Sequence, residues 1–416
     1  MDTKEKWLHT MEIFDDYEKR FAKAKVNRPF KIPTTDEDFQ KIIAKTRQML
    51  SFDDKLIPEI SNIEEVCRDV RDNYDIIQLR FTTWENFHSS LTLYKPRTDQ
   101  KVPLGFVFCG HGADGRLTEN YVLMADRLAQ MGIAAVLPDN IGQGDRKLQG
   151  HTNAFAPFYC GLTLQGLIVM ESVALIRHFA KKPWVDKTRI GACGNSGGGT
   201  LCMFLAALAP ELTALCPTGY PSDFGYILSK ERSHCACNLI PGCANGPEMW
   251  EILSCFAPKP LMIEQGINDQ LIPYDLFMRT ARKVGHVYRQ LGAENNFTAK
   301  WTPDAHSWTP ADRDLIVQFF ADNFKLQAAD TDNQEILTKI PNWHIEFPKD
   351  SLTVDRLAEK LSGKKMPEGT TLFDIFKPKI KGLPIVRDEI IADIGRGDVM
   401  KILAQLECAL TEKGDI

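Results

Sequence analysis

One serine, Ser196, sits in a run of five glycines: "GACGNSGGGT" holds Gly191, Gly194, Gly197, Gly198 and Gly199. A serine hydroxyl is a weak nucleophile at neutral pH. It becomes a strong one beside a base that an acid holds in place. Downstream, "GINDQLIP" offers Asp269 and "TPDAHSWTP" offers His306. Serine, then aspartate, then histidine is the order expected when each residue follows its own strand of an α/β sheet. Glu264 and Asp304 lie close enough to compete for the acid's role, but Glu264 falls within its strand and Asp304 only two residues before His306. Acyl attack also needs donors for the oxyanion. Gly197, directly after the serine, supplies one backbone N–H. The other comes from "CGHGADGR", with Ala113 the first choice and Gly112 the next. Taken singly, each residue has a plainer reading: a glycine-rich turn, an aspartate at a helix cap, a loop histidine. The assignment of Ser196, Asp269 and His306 as catalytic rests on their conjunction.

The flanking segments carry the periodicities such a centre requires. "TRIGAC" before the serine reads as a short buried strand and "TLCMFLAALAP" after it as an apolar helix, so Ser196 falls on a strand-to-helix turn. Further strands are expected in "YDIIQLRFTTW", "FHSSLTLYKP", "PLGFVFC", "IAAVLPD", "LTALCPTG", "PLMIEQG" and "NFTAKWTP". Helices fall between most of them. "LTENYVLMADRLAQMG" ends on Gly132, "DLFMRTARKVGHVYRQLG" ends on Gly292, and "TPADRDLIVQFFADNF" starts with Thr309 as cap and Pro310 at the first helical position. Alternating strands and helices mean a mostly parallel sheet covered on both faces, with ligands at the carboxyl ends of its strands.

Three segments frame this core. Residues 1–65 read as a helical N-terminal extension. One helix carries Trp7, Met11, Phe14, Tyr17 and Phe21, and a second opens on a Thr34/Glu37 capping box. The catalytic domain spans 66–327, and within it 220–257 is an excursion rich in Cys, Gly, Pro and aromatic residues, a lid or pocket wall. Residues 328–416 form a C-terminal extension with helical stretches in "LTVDRLAEKL" and "DVMKILAQLECAL" and no assigned chemistry.

A hydrophobic share of 44% with 25% charged residues fits a water-soluble globular chain. The net charge of −5 gives no reason to expect nucleic acid or an anionic membrane as partner. The charged N-terminus lacks a signal-peptide pattern, no apolar run reaches membrane-spanning length, and 11 scattered cysteines suit a reducing compartment. The expected location is therefore the cytoplasm. Cys235, Cys237 and Cys243 with His234 raise the question of a metal. Their spacing matches no standard zinc motif, so burial or pocket lining is the preferred reading, and neither metal nor cofactor is expected. "GQGD", Gly142 to Asp145, reads as a turn rather than a phosphate loop.

The segments "GHGADGR", "GNSGGGT", "GINDQLIP" and "DAHSW" together resemble the α/β-hydrolase superfamily, and within it the acetyl xylan esterase and cephalosporin-C deacetylase group, with dienelactone hydrolases as more distant relatives. The resemblance covers roughly residues 70–326. It implies an α/β-hydrolase fold with Ser196 as nucleophile, His306 as general base and Asp269 as its partner, and with oxyanion donors at Gly197 and Ala113. It also implies a serine esterase that removes acetyl groups from sugars or other small O-acetyl compounds without a cofactor. The deacetylase group usually carries glutamine after the serine and often an aromatic after the HG pair; this chain has Gly197 and Ala113. An oligopeptidase-like serine peptidase and a non-catalytic binding protein of the same fold are the alternatives. The expected partner is a small-molecule or oligosaccharide ester, and a homo-oligomer is left open.

Overall fold

The computed structural model describes residues 31–229, 235–329, 331–370 and 374–375. The expected helices around Trp7–Phe21 and in "DVMKILAQLECAL" lie outside them, as does His234.

Nine strands form one sheet: β1 (Ser61–Val70), β2 (Tyr74–Thr82), β3 (His88–Pro96), β4 (Val102–Phe108), β5 (Ala134–Pro138), β6 (Val185–Asn195), β7 (Ala214–Thr218), β8 (Leu261–Gly266) and β9 (Phe297–Thr302). The helices are α1 (Asp36–Leu50), α2 (Glu119–Gln130), α3 (Ala156–Tyr159), α4 (Leu164–Ala180), α5 (Gly197–Leu208), α6 (Phe224–Ser229), α7 (Met249–Ser254), α8 (Tyr274–Gln290), α9 (Pro310–Phe324) and α10 (Val354–Ser362). The strand order is β1-β2-β3-β5-β4-β6-β7-β8-β9. The first three pairings, β1/β2, β2/β3 and β3/β5, are antiparallel and the rest are parallel. This mostly parallel sheet with flanking helices is the α/β-hydrolase architecture expected from the sequence.

The chain leaves β4 to one side to make β5, then returns to the other side to make β6. The direction in which strands are added therefore reverses between the parallel neighbours β4 and β6, the place beyond whose carboxyl ends a crevice forms in such sheets. Both central strands are built for burial: β4 is buried throughout, and Ile190 to Asn195 of β6 are buried as well. Each sheet face covers its own apolar core, one beneath α4, α5 and α8 and the other beneath α2 and α9.

The expected strands recur with ends shifted by a few residues. β1 was not foreseen because its sequence, SNIEEVCRDV, alternates weakly and stays exposed at the sheet edge. It straddles residue 65. Helix α1 is present, but its capping box is Thr35 with Asp38 rather than Thr34 with Glu37. Asp38 also accepts from the backbone of both Thr34 and Thr35, which favours the shifted start. Thr309 caps α9 and Pro310 opens it, as expected. Gly132 and Gly292 take positive φ just past α2 and α8. The "GQGD" segment leads into a 3₁₀ turn, Gly144–Gln149. Within the excursion, Phe224, Leu239, Ile240 and Trp250 are buried against the core.

Candidate active site

Ser196 follows β6 and caps α5 with φ 57° and ψ −117°. A positive φ is costly for a non-glycine residue, on the order of 1–3 kcal/mol. Here the surroundings hold it. The Ser196 N–H donates to Thr218 O at 3.1 Å, and Ser196 O accepts from Thr200 N at 2.8 Å. The neighbouring glycines serve a different need, since none of the five has positive φ. They make room. A Cβ on Gly198 would lie 1.9 Å from Phe108 O, and one on Gly199 would lie 2.1 Å from Thr218 O. Helix α5 can start this close to β4 and β7 only because those side chains are missing. Its first-turn N–H groups, Gly197 included, point out of the helix without an intrahelical acceptor.

Asp269 and His306 come from the turns after β8 and β9. Backbone bonds tie these turns together: Ile267 N to Thr302 O at 2.9 Å and Asn268 N to Asp304 O at 3.0 Å. His306 Nδ1 then meets Asp269 Oδ2 at 2.6 Å. The other carboxylate oxygen accepts from Leu271 N at 2.7 Å and Ile272 N at 3.0 Å. The aspartate side chain is 1% exposed and the imidazole 17%. Burial pushes the Asp269 carboxyl up, but the hydrogen bond and charge of His306 and the two backbone donors outweigh it and hold the carboxyl below its ordinary value. His306 Nε2 is buried and has no hydrogen-bond partner among the described residues. An imidazole held through Nδ1 by a carboxylate, with Nε2 unengaged, has the form of a general base.

The rival acids are placed elsewhere. Asp304 accepts from Thr309 Oγ1 at 2.7 Å. Glu264 is 3% exposed inside β8. Burial, together with Asp312, Asp269 and Asp304 nearby, pushes its carboxyl well above the ordinary value, which favours the neutral acid.

Around the serine, sequence reasoning missed several residues. Trp308 Nε1 donates to Thr218 Oγ1 at 2.7 Å, fixing the strand end that receives Ser196 N–H. Tyr121 Oη accepts from Gly110 N at 2.8 Å, and its ring meets Trp308 edge-on at 5.3 Å. In the loop after β4, Gly112 N donates to Gln143 Oε1 at 3.2 Å, and Ala113 is exposed further along. The loop residues that reach the serine are Gly110 and His111. A Cβ on Gly110 would lie 2.9 Å from Ser196 Cβ, and one on Gly197 would lie 2.8 Å from His111 Nδ1. His111 N–H has no partner among the described residues. No sequence signal singles out His111 within "CGHGADGR"; the proximity arises from the β4/β6 pairing.

Of the cysteines and histidine weighed as a metal group, Cys235 and Cys237 stand together with sulfurs 3.3 Å apart, while Cys243 is buried in the core. Among the described residues no helix is long and apolar enough to cross a membrane.

The acetyl xylan esterase family model matches residues 34–235. A Bacillus subtilis (strain 168) protein, YtaP, is 24% identical over 211 residues, 50% of this chain and 70% of its own length. Among solved structures, methylesterase BT1017 superposes with a TM-score of 0.58 at 20% identity, covering 91% of this chain and 80% of its own. A glucuronoyl esterase from Teredinibacter turnerae T7901 gives 0.51 at 13% identity, covering 68% and 83%.

Proposed function

We propose that this chain is a carboxylic-ester hydrolase, a reading that its match to the acetyl xylan esterase family model over residues 34–235 supports, and that Ser196, His306 and Asp269 carry the reaction. Ser196 Oγ adds to the ester carbonyl carbon while its proton passes to His306 Nε2. Asp269 holds the ring and stabilises the imidazolium. The oxyanion receives N–H groups from Gly197 and, in our reading, from His111 rather than Ala113 or Gly112. His111 N–H is unengaged among the described residues, whereas the Gly112 donor is taken by Gln143. The positive end of α5 adds to this stabilisation. The tetrahedral centre then expels the alcohol, which takes the proton from His306. Water attacks the acyl-serine with His306 again as base, releasing the carboxylic acid and restoring the serine.

The observation that carries this reading is the 2.6 Å His306–Asp269 contact on the turns after β8 and β9, with Nε2 unengaged among the described residues, together with the positive-φ serine turn after β6 of the same sheet. The preferred substrate class is an O-acetylated sugar or small O-acetyl compound. The ten cysteines of the described residues are all free, which supports a reducing, cytoplasmic setting.

The test is a series of p-nitrophenyl esters from acetyl to octanoyl, followed by acetylated xylo-oligosaccharide and a methyl uronate. The reading expects turnover falling with acyl length and acetate release from the oligosaccharide. Methanol release from the uronate without acetate release would replace deacetylation by action on the alcohol side. Cleavage of an aminoacyl-nitroanilide would favour a peptidase.

A further inference from the structure

Four potential metal ligands from distant stretches of chain meet beside the serine turn. His111 follows β4, His151 lies between the 3₁₀ turn and α3, and Cys235 and Cys237 lie in the excursion. The ligand atoms of all four lie within 4.8 Å of one another. His111 Nε2 and His151 Nε2 are 3.0 Å apart, Cys237 Sγ is 3.3 Å from His111 Nε2, and the two sulfurs are 3.3 Å apart. Zinc bonds of about 2.0–2.1 Å to nitrogen and about 2.3 Å to sulfur imply tetrahedron edges of roughly 3.3–3.8 Å. These three separations fall short of those edges by about half an ångström or less, and the 4.8 Å limit on the whole group exceeds them by about 1 Å, so side-chain rotations would close the shell.

The tautomers also fit a cation. His151 Nδ1 lies 2.6 Å from Ile141 O. A carbonyl only accepts, so Nδ1 carries the hydrogen and the neutral ring turns its Nε2 lone pair toward the cluster. His111 Nε2 faces that lone pair directly, so a proton or a metal ion must lie between the two nitrogens.

We propose that His111, His151, Cys235 and Cys237 form a closed tetrahedral site for a structural Zn²⁺. Two sulfurs and two imidazoles suit zinc, and four protein ligands leave no position for substrate. Binding forms two Zn–S and two Zn–N bonds and releases the thiol protons to solvent. The ion joins the excursion to the loop after β4 through His111, whose ring also lies against Gly197. It thereby fixes the backbone that we assign to the oxyanion. That last consequence rests on the esterase reading; metal binding does not.

The experiment uses the full chain, purified without a chelating tag from zinc-supplemented culture. Elemental analysis is expected to find one zinc per chain. Reduced, chelator-stripped protein titrated with Co²⁺ should develop thiolate-to-cobalt charge-transfer absorption and the visible bands of a tetrahedral ion. Cys237→Ser should lose both, His151→Cys should keep them with stronger charge transfer, and Cys67→Ser on β1 should match wild type. Ser196→Ala should bind metal as wild type does, which separates this site from the esterase reading. Wild type that holds no zinc and gives no charge-transfer band overturns the proposal, leaving a thiol–imidazole hydrogen-bond network. Cys237→Ser that binds like wild type overturns it too.

Discussion

At the residue scale, two buried carboxylic acids near His306 differ in their surroundings. Asp269 faces an imidazole and two backbone N–H groups, so its charge is favoured. Glu264 faces three other carboxyl groups and keeps Oε1 without a partner. This difference has a measurable sign. The folded state raises the Glu264 pKa above its ordinary 4.5, so the folded chain holds that proton more tightly than the unfolded chain. The stabilisation is complete below pH 4.5 and is lost as pH rises toward the folded value. Glu264→Gln removes that loss. Urea unfolding of both proteins between pH 4 and 8 should show a stability difference that shifts steadily in favour of the variant as pH rises. A pH-independent difference would contradict the neutral assignment of Glu264.

At the element scale, the strand-to-helix turn at Ser196 depends on how closely α5 approaches β4 and β7. Gly198→Ala places a methyl group 1.9 Å from Phe108 O, a backbone atom of a buried strand that cannot step aside. The expected cost is about 3 kcal/mol or more in chemical denaturation. A loss below about 1 kcal/mol would mean that the helix start is less constrained than its geometry states. The sequence foretold this element well, because strand, turn and helix each follow local patterns: apolar runs on both sides, glycines between. The same holds for α9, whose Thr309–Pro310 start is written in adjacent residues. Contacts across the sheet left no such trace. The order β5-β4-β6 brings His111 to Gly197, while the loop's own spacing pointed to Ala113 and Gly112. Likewise β1 is an exposed edge strand without the apolar alternation that marks the inner strands.

At the scale of the whole molecule, buried Arg116 is among the residues that bind the chain after α9 to the central sheet and its loops. Arg116, in the turn after the β4 loop, is fully buried. It donates to Asp139 Oδ2 and Asp145 Oδ2, each at 2.7 Å, and to Trp343 O at 2.7 Å. Asp145 also accepts from Ile345 N at 2.8 Å. One guanidinium thus ties the end of β5, the 3₁₀ turn and the chain around Trp343 to the loop that reaches Ser196. Arg116→Leu leaves two carboxylates without their cation, and the expected destabilisation is about 3–5 kcal/mol by urea unfolding. A change within about 0.5 kcal/mol would show that this network does not join the segments. The sequence alone could not place the chain around Trp343, because a partner such as Arg116 lies 227 positions away. What it did contain were apolar residues such as Ile336 and Trp343, which the structure buries.

The central claim is that Ser196 is the nucleophile. The most direct test is to treat the full chain with a fluorophosphonate ester, measure its intact mass, and map the modified peptide. One phosphonyl group on Ser196, with ester turnover lost in step with labelling, is the expected result. Retained esterase activity in fully labelled protein, or an adduct on another residue with Ser196 unmodified, would contradict it.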